Sequence, residues 1–211
     1  MKIVDDFLAT DEWEGMLKTC EIIVDLYKRP DTRGESPEDY SGNTHETLDV
    51  YEQWKTPYPP YMTYSLEQIQ QCRDVLFKKK CWESFLQKNC EEVGNIVGKP
   101  VIPTDIRVCK VEEYDEKDIE LNVRKHEKFG YMDNVPHVHL GDDLVYGSVY
   151  YIQNPDKEYG TVIEDETLVY GVENRCLFFD GSKIMHCGVW PPSEEVADYP
   201  RYIIAMNFKC Q

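Results

Sequence analysis

Gly147-Ser148-Val149-Tyr150-Tyr151-Ile152-Gln153-Asn154 carries a strand at Val149 to Ile152, a run of β-branched and aromatic residues between turn-forming Gly147 and Asn154. Short period-two runs recur on both sides of it. They are Ile106, Val108 and Lys110; Ile119, Leu121 and Val123; Thr161 to Ile163; Leu168 to Val172; Cys176 to Phe179; Ile184 to Val189; and Tyr202 to Phe208. Many short strands separated by turn residues predict an antiparallel sandwich or barrel past Pro103.

Upstream the period changes. Met16, Leu17, Cys20, Ile23, Val24 and Tyr27 recur at helical spacing after Thr10-Asp11, which serves as a candidate N-cap, and Pro30 ends the pattern. Ser65-Leu66-Glu67-Gln68 resembles a capping box ahead of a stripe of Leu66, Ile69, Cys72 and Leu76. Trp82, Phe85, Leu86, Val93 and Val97 form another stripe before Gly98-Lys99-Pro100. Asp31 to Tyr61 has no period and reads as a long loop or lid. The plan is α+β: amino-terminal helices packed on a jelly-roll-like double sheet. A single domain spans 1–211, with a helical and loop part at 1–103 and the β core at 104–211.

The chain has 211 residues and a formal net charge of −17, so its field repels polyanions and argues against a broad nucleic-acid or anionic-membrane surface. Lys78-Lys79-Lys80 is the one basic run and reads as a solvated turn. No apolar run approaches the ~20 residues of a membrane span, and the amino terminus lacks a basic-then-apolar leader pattern. Eight cysteines show no CxxC pair, which predicts reduced thiols and a cytoplasmic setting. The oligomeric state is left open.

The chemistry concentrates in Pro136-His137-Val138-His139-Leu140-Gly141-Asp142-Asp143, Lys183-Ile184-Met185-His186 and Pro200-Arg201-Tyr202, where three of the five histidines lie. In an extended segment His137 and His139 share a face and can reach one metal ion, and a distant His on a neighbouring strand would complete the set. Open sites of two His and one further donor are typical of non-haem Fe(II) oxygenases. Arg201 shares its strand face with Ile203 and Ala205, so its charge is expected in an otherwise apolar cavity where an anion arrives. His45, His126 and Arg175 read as structural, and the acidic runs Asp115-Glu116 and Glu164-Asp165-Glu166 as solvated loops.

The order PHVHLGDD, GSVYYIQN, Gly160-Thr161, Asn174-Arg175-Cys176-Leu177-Phe178-Phe179-Asp180-Gly181-Ser182, MHCG and Arg201 to Phe208 resembles the prolyl-hydroxylase type of Fe(II)- and 2-oxoglutarate-dependent dioxygenase, over roughly 104–208. The resemblance implies a double-stranded β-helix (cupin-like) core with Fe(II), 2-oxoglutarate and O2 as cofactor and co-substrates. It implies His137 as first iron ligand, His186 as distal ligand, and Arg201 with Tyr151 at the far carboxylate of 2-oxoglutarate. Tyr151 reads equally as a core aromatic. The family has Asp or Glu where this chain has His139, which leaves three outcomes: a three-His site, a carboxylate from Asp142, or an inactive site.

The expected reaction is hydroxylation of a peptide or small molecule, with Asp31 to Tyr61 and Tyr114 to Asp118 as substrate lids. A cupin-like three-His dioxygenase and a non-catalytic metal- or ligand-binding jelly-roll module are the alternatives.

Overall fold

The computed structural model describes residues 1–26, 80–111, 138, 144–155, 157–164, 167–189 and 201–211. In chain order the elements are β1 (Lys2–Val4), α1 (Thr10–Leu26), α2 (Lys80–Val97), β2 (Val101–Val111), β3 (Leu144–Gln153), β4 (Thr161–Ile163), β5 (Thr167–Val169), β6 (Arg175–Phe179), β7 (His186–Gly188) and β8 (Arg201–Cys210). The strands form a five-stranded sheet in the order β1-β6-β3-β8-β2 and a three-stranded sheet in the order β5-β4-β7. Every strand pair among the described residues is antiparallel. Among the described residues, two antiparallel sheets with two helices give a jelly-roll-like fold.

Side-chain alternation divides the large sheet into two environments. Tyr150 and Ile152 of β3, Cys176 and Phe178 of β6, and Tyr202, Ile204, Met206 and Phe208 of β8 share a buried cluster with Met16, Cys20, Trp82, Phe85 and Val93 of the helices. Phe7 lies at its centre, with ring centroids 6.1 Å from Phe85, 5.6 Å from Tyr150 and 5.8 Å from Phe178. Fully burying one such ring contributes about 1.5–3 kcal/mol. The opposite face supplies Tyr151, Leu177 and Phe179, which pack on Ile163 and Val169 of the small sheet. This second interior, between the sheets, holds the candidate site.

Helix ends follow local chemistry. Trp13 N donates to Ala9 O at 2.9 Å, so Ala9 occupies the cap position, one residue earlier than the expected Thr10, which already lies in the first turn. Asp11 and Glu12 then face the positive end of the helix dipole. Gly98, at φ 71°, ends α2 by donating its N–H to Gly94 O at 2.8 Å, the left-handed stop that glycine provides without steric cost.

Several strand boundaries depart from the periodicity, β1, β2 and β5 for identifiable reasons. β1 was not foreseen, because three residues are too few to show a period; it is held by pairing with β6. β2 starts at Val101, ahead of the expected limit, and tolerates Pro103 through a register shift between Pro103 and Asp105. β5 stops at Val169, short of the expected Val172, because Asn154 Nδ2 captures Gly171 O at 2.5 Å and Tyr159 O at 2.8 Å and turns the chain away. The lid at Asp31 to Tyr61, the helix at Leu66 to Leu76 and the strand at Ile119 to Val123 lie outside the described residues.

Asn174 fastens the amino-terminal segment to this frame. At φ 59° its Oδ1 accepts from Leu8 N and from the Tyr150 hydroxyl, each at 2.9 Å, and its Nδ2 donates to Leu8 O at 2.9 Å. Its main-chain carbonyl accepts from Phe7 N at 2.8 Å. Asn174→Ala leaves buried donors and acceptors unmet and puts a Cβ-bearing residue without a local hydrogen bond at positive φ. A loss of about 2–4 kcal/mol in urea denaturation is expected.

Nearby, Arg175 Nε donates to Asp5 Oδ1 at 2.5 Å, and this bond holds the Asp5 carboxyl below its ordinary range. The folded-state value being depressed, the stabilisation is present above the unfolded value and lost as pH falls through the folded one. Asp5→Asn should therefore lower stability at neutral pH and flatten the fall of the stability–pH curve below about pH 4, so that mutant and wild type converge in acid.

Candidate functional site between the sheets

His186 opens β7 and pairs with Ile163 of β4, which directs both side chains to the interior between the sheets. The imidazole is buried and its Nδ1 lies 2.9 Å from Ile184 O. A carbonyl can only accept, so Nδ1 carries a proton, and in the neutral ring the lone pair is then on Nε2. The ring meets Phe179 edge-on, with centroids 4.5 Å apart at 61°. Cys187 points to the other face by strand alternation, and burial pushes its thiol up, which keeps it protonated.

Arg201 opens β8 and is 2% exposed, one of the largest fully enclosed side chains in the protein. Nη1 donates to Val189 O at 2.8 Å and Nη2 to Gly160 O at 3.3 Å, carbonyls that follow β7 and precede β4. Val189 N in turn donates to Gly160 O at 3.0 Å, closing the end of the small sheet. The guanidinium carbon stands 5.7 Å from the centre of the Tyr151 ring. Tyr151 belongs to β3, is fully buried, and its hydroxyl lies 2.6 Å from Thr161 Oγ1. Burial raises the Tyr151 phenol, while Arg201 and the Thr161 hydrogen bond pull it back in part. The group therefore stays neutral and able to donate.

These groups belong to one interior. Thr161 and Ile163 share a face of β4, separated by about 7 Å along the strand. Thr161 touches Tyr151 beside Arg201, and Ile163 pairs with His186. Tyr151, Ile163, Leu177 and Phe179 form the apolar surround. Thr161 and Gly160 were not foreseen as site residues, although a lone polar side chain in a short apolar strand after glycine is a usable signal. Arg175, read as structural, indeed bonds Asp5 and Tyr170 O.

His137, His139 and Asp142 lie outside the described residues, as do His45, His126 and the candidate lid at Tyr114 to Asp118. Among the described residues, no three His, Cys, Asp or Glu side chains are grouped to hold a metal ion. The one described candidate ligand suits the role by residue type and geometry: the buried His186 imidazole has its Nδ1–H fixed on a backbone carbonyl, so that in its neutral form Nε2 is the nitrogen able to bind a metal. Arg201 fits an anion by its planar fork and its low-dielectric surround.

No protein-family model matches the sequence. No curated protein matches it either. Solved structures do match the fold. The non-haem α-ketoglutarate-dependent epimerase SnoN from nogalamycin biosynthesis superposes at a TM-score of 0.53 with 11% identity, over 99% of this chain and 76% of that one. A Trichoplax adhaerens prolyl hydroxylase in complex with a hypoxia-inducible-factor peptide fragment gives 0.51 with 13% identity, over 99% and 83%. HygX from Streptomyces hygroscopicus, with nickel and 2-oxoglutarate bound, gives 0.51 with 10% identity, over 99% and 82%. The chain thus has the fold of non-haem 2-oxoglutarate-dependent enzymes, prolyl hydroxylases among them.

Gly160 offers a direct test of the anchor. A Cβ there would lie 1.9 Å from Val169 O, so Gly160→Ala must push β5 away from the carbonyl that Arg201 holds. A loss of about 1–3 kcal/mol is expected in thermal or urea denaturation.

Proposed function

We propose that the chain is an Fe(II)- and 2-oxoglutarate-dependent oxygenase that hydroxylates a peptide residue or a small molecule while 2-oxoglutarate is oxidatively decarboxylated. The observation that carries the reading is the buried Arg201 guanidinium beside Tyr151, in the same interior as His186. A permanent cation in an apolar surround suits a carboxylate, and a second binding point about 7 Å along β4 suits a short dicarboxylate held at both ends.

In this reading His137 and His186 bind the iron, His139 or Asp142 supplies the third donor, and Arg201 with Tyr151 receives the distal carboxylate of 2-oxoglutarate. Bound iron would supply the site at which O2 is activated. The chain's own contribution is positioning. Arg201 offers two parallel N–H donors, Tyr151 a neutral phenol, and Thr161 a hydroxyl that can donate to the Tyr151 oxygen once the phenol turns to the ligand. Phe179, Leu177 and Ile163 exclude water from the same space.

The peptide-bound prolyl hydroxylase and the 2-oxoglutarate-bound HygX support the substrate class and co-substrate by analogy of fold. Cys20, Cys81, Cys90, Cys176, Cys187 and Cys210 form no disulfide, which suits a cytoplasmic location. No described helix is long and apolar enough to cross a membrane. The single-domain division, with 1–103 ahead of a core at 104–211, is part of the same proposal.

Anaerobic Fe(II) titration with and without 2-oxoglutarate tests it. The expected result is a weak visible charge-transfer band in wild type, with 2-oxoglutarate affinity falling about 10–100-fold in Arg201→Ala, the worth of one lost charge-assisted hydrogen-bonded contact. Comparing His139→Ala with Asp142→Ala identifies the third ligand. Iron uptake without any band would sink the proposal in favour of a three-His dioxygenase or a binding module.

A further inference from the structure

The turn between β6 and β7 does more than connect two strands. Asp180 follows Phe179 directly, and its Oδ1 accepts from Ser182 N at 3.2 Å and from Ser182 Oγ at 2.6 Å. Its Oδ2 accepts from Lys183 Nζ at 2.6 Å, on the solvent side. The Asp180 main-chain carbonyl accepts from Lys183 N at 3.1 Å and Ile184 N at 2.8 Å. The turn is therefore wound around one residue. It delivers Ile184, whose carbonyl receives His186 Nδ1 at 2.9 Å, while Phe179 on the near side packs against the same imidazole.

We infer that Asp180 is a positioning residue for His186: its side chain fixes the turn so that the Ile184 carbonyl selects the Nδ1–H tautomer and aims Nε2 into the space between the sheets. The chain of contacts is short and each link is directional. Free imidazole exchanges its proton between the two nitrogens, and only a fixed acceptor at one of them settles which carries the lone pair. A carbonyl held in a tight turn is such an acceptor, provided the turn itself does not open. Two bonds from Ser182 to one carboxylate oxygen supply that rigidity, and the exposed Lys183 contact is dispensable to it.

The metal consequence rests on the proposed oxygenase reading, whereas the tautomer does not. Partners that orient a metal-bound His are worth about 10–100-fold in metal affinity.

The experiment is nitrogen-15 NMR of the metal-free full chain, with the His186 ring assigned by loss of its signals in His186→Gln. Cobalt(II) titration followed by visible absorption runs beside it. Wild type, Asp180→Asn and Lys183→Ala are expected to hold the Nδ1–H tautomer, since the amide keeps an acceptor oxygen for Ser182. Asp180→Ala is expected to admit the Nε2–H form and to bind cobalt about 10–100-fold more weakly, with an altered absorption band. Thermal unfolding of each variant separates this from general loss of structure, and Asp180→Asn serves as the rescuing variant.

An unchanged Nδ1–H tautomer in Asp180→Ala overturns the inference, as does an equal shift in Lys183→Ala. A tautomer that changes in Asp180→Ala upholds it even where wild type binds no cobalt, a result that would instead remove the oxygenase reading.

Discussion

A guanidinium that cannot lose its proton, enclosed to 2% exposure, is the constraint around which the site is arranged. Its charge must be met inside the protein, and Arg201 meets part of that demand with the carbonyls of Val189 and Gly160. Those carbonyls belong to the chain just after β7 and just before β4, so one cation on the large sheet fixes the end of the small one. Gly160 follows from the same demand: the backbone passes so close to Val169 O that a methyl group has no room. The Tyr151–Thr161 bond is a second tie between the sheets, a few ångströms from the first.

The large sheet can serve this site because its other face is secured independently. Trp82, Phe85 and Val93 of α2, with Met16 and Cys20 of α1, cover Tyr150, Phe178 and Phe208 without drawing on the inner face. Polar groups on that side are few and matched to one another. Asn89 donates to Phe85 O at 2.9 Å and accepts from Ser148 Oγ at 2.9 Å, which pins α2 to β3 at one register. Asn174 does the same for Phe7 and Leu8. Buried amides of this kind restrict how helix and sheet can slide, and so keep the inner face in register as well.

At 10–13% identity to the solved structures that share the fold, what is shared is the course of the backbone and not the residue list. Alternating burial along β3, β6 and β8 can be met by many apolar residues. In this chain an imidazole fixed by a carbonyl and a cation fixed between sheet ends cannot be exchanged so freely. This difference explains how the fold stays recognisable by shape where neither a family model nor a curated sequence matches.

The sequence by itself determined the succession of the described elements from Trp82 onward, because a strand's period of two and a helix's 3.6 are local properties of the chain. It also determined that His186, Arg201 and Tyr151 deserved attention, through residue type, order and family resemblance. Boundaries at Val101 and Val169, and the strand at Lys2–Val4, were set by pairing partners far along the chain and left no local mark. The same holds for Thr161, which becomes a partner of Tyr151 only when two sheets meet, and for the Ile184 carbonyl that fixes the His186 tautomer. Periodicity reports which way a side chain points, whereas the neighbour it finds there is decided by the sheet packed opposite, and only the tertiary structure holds that information.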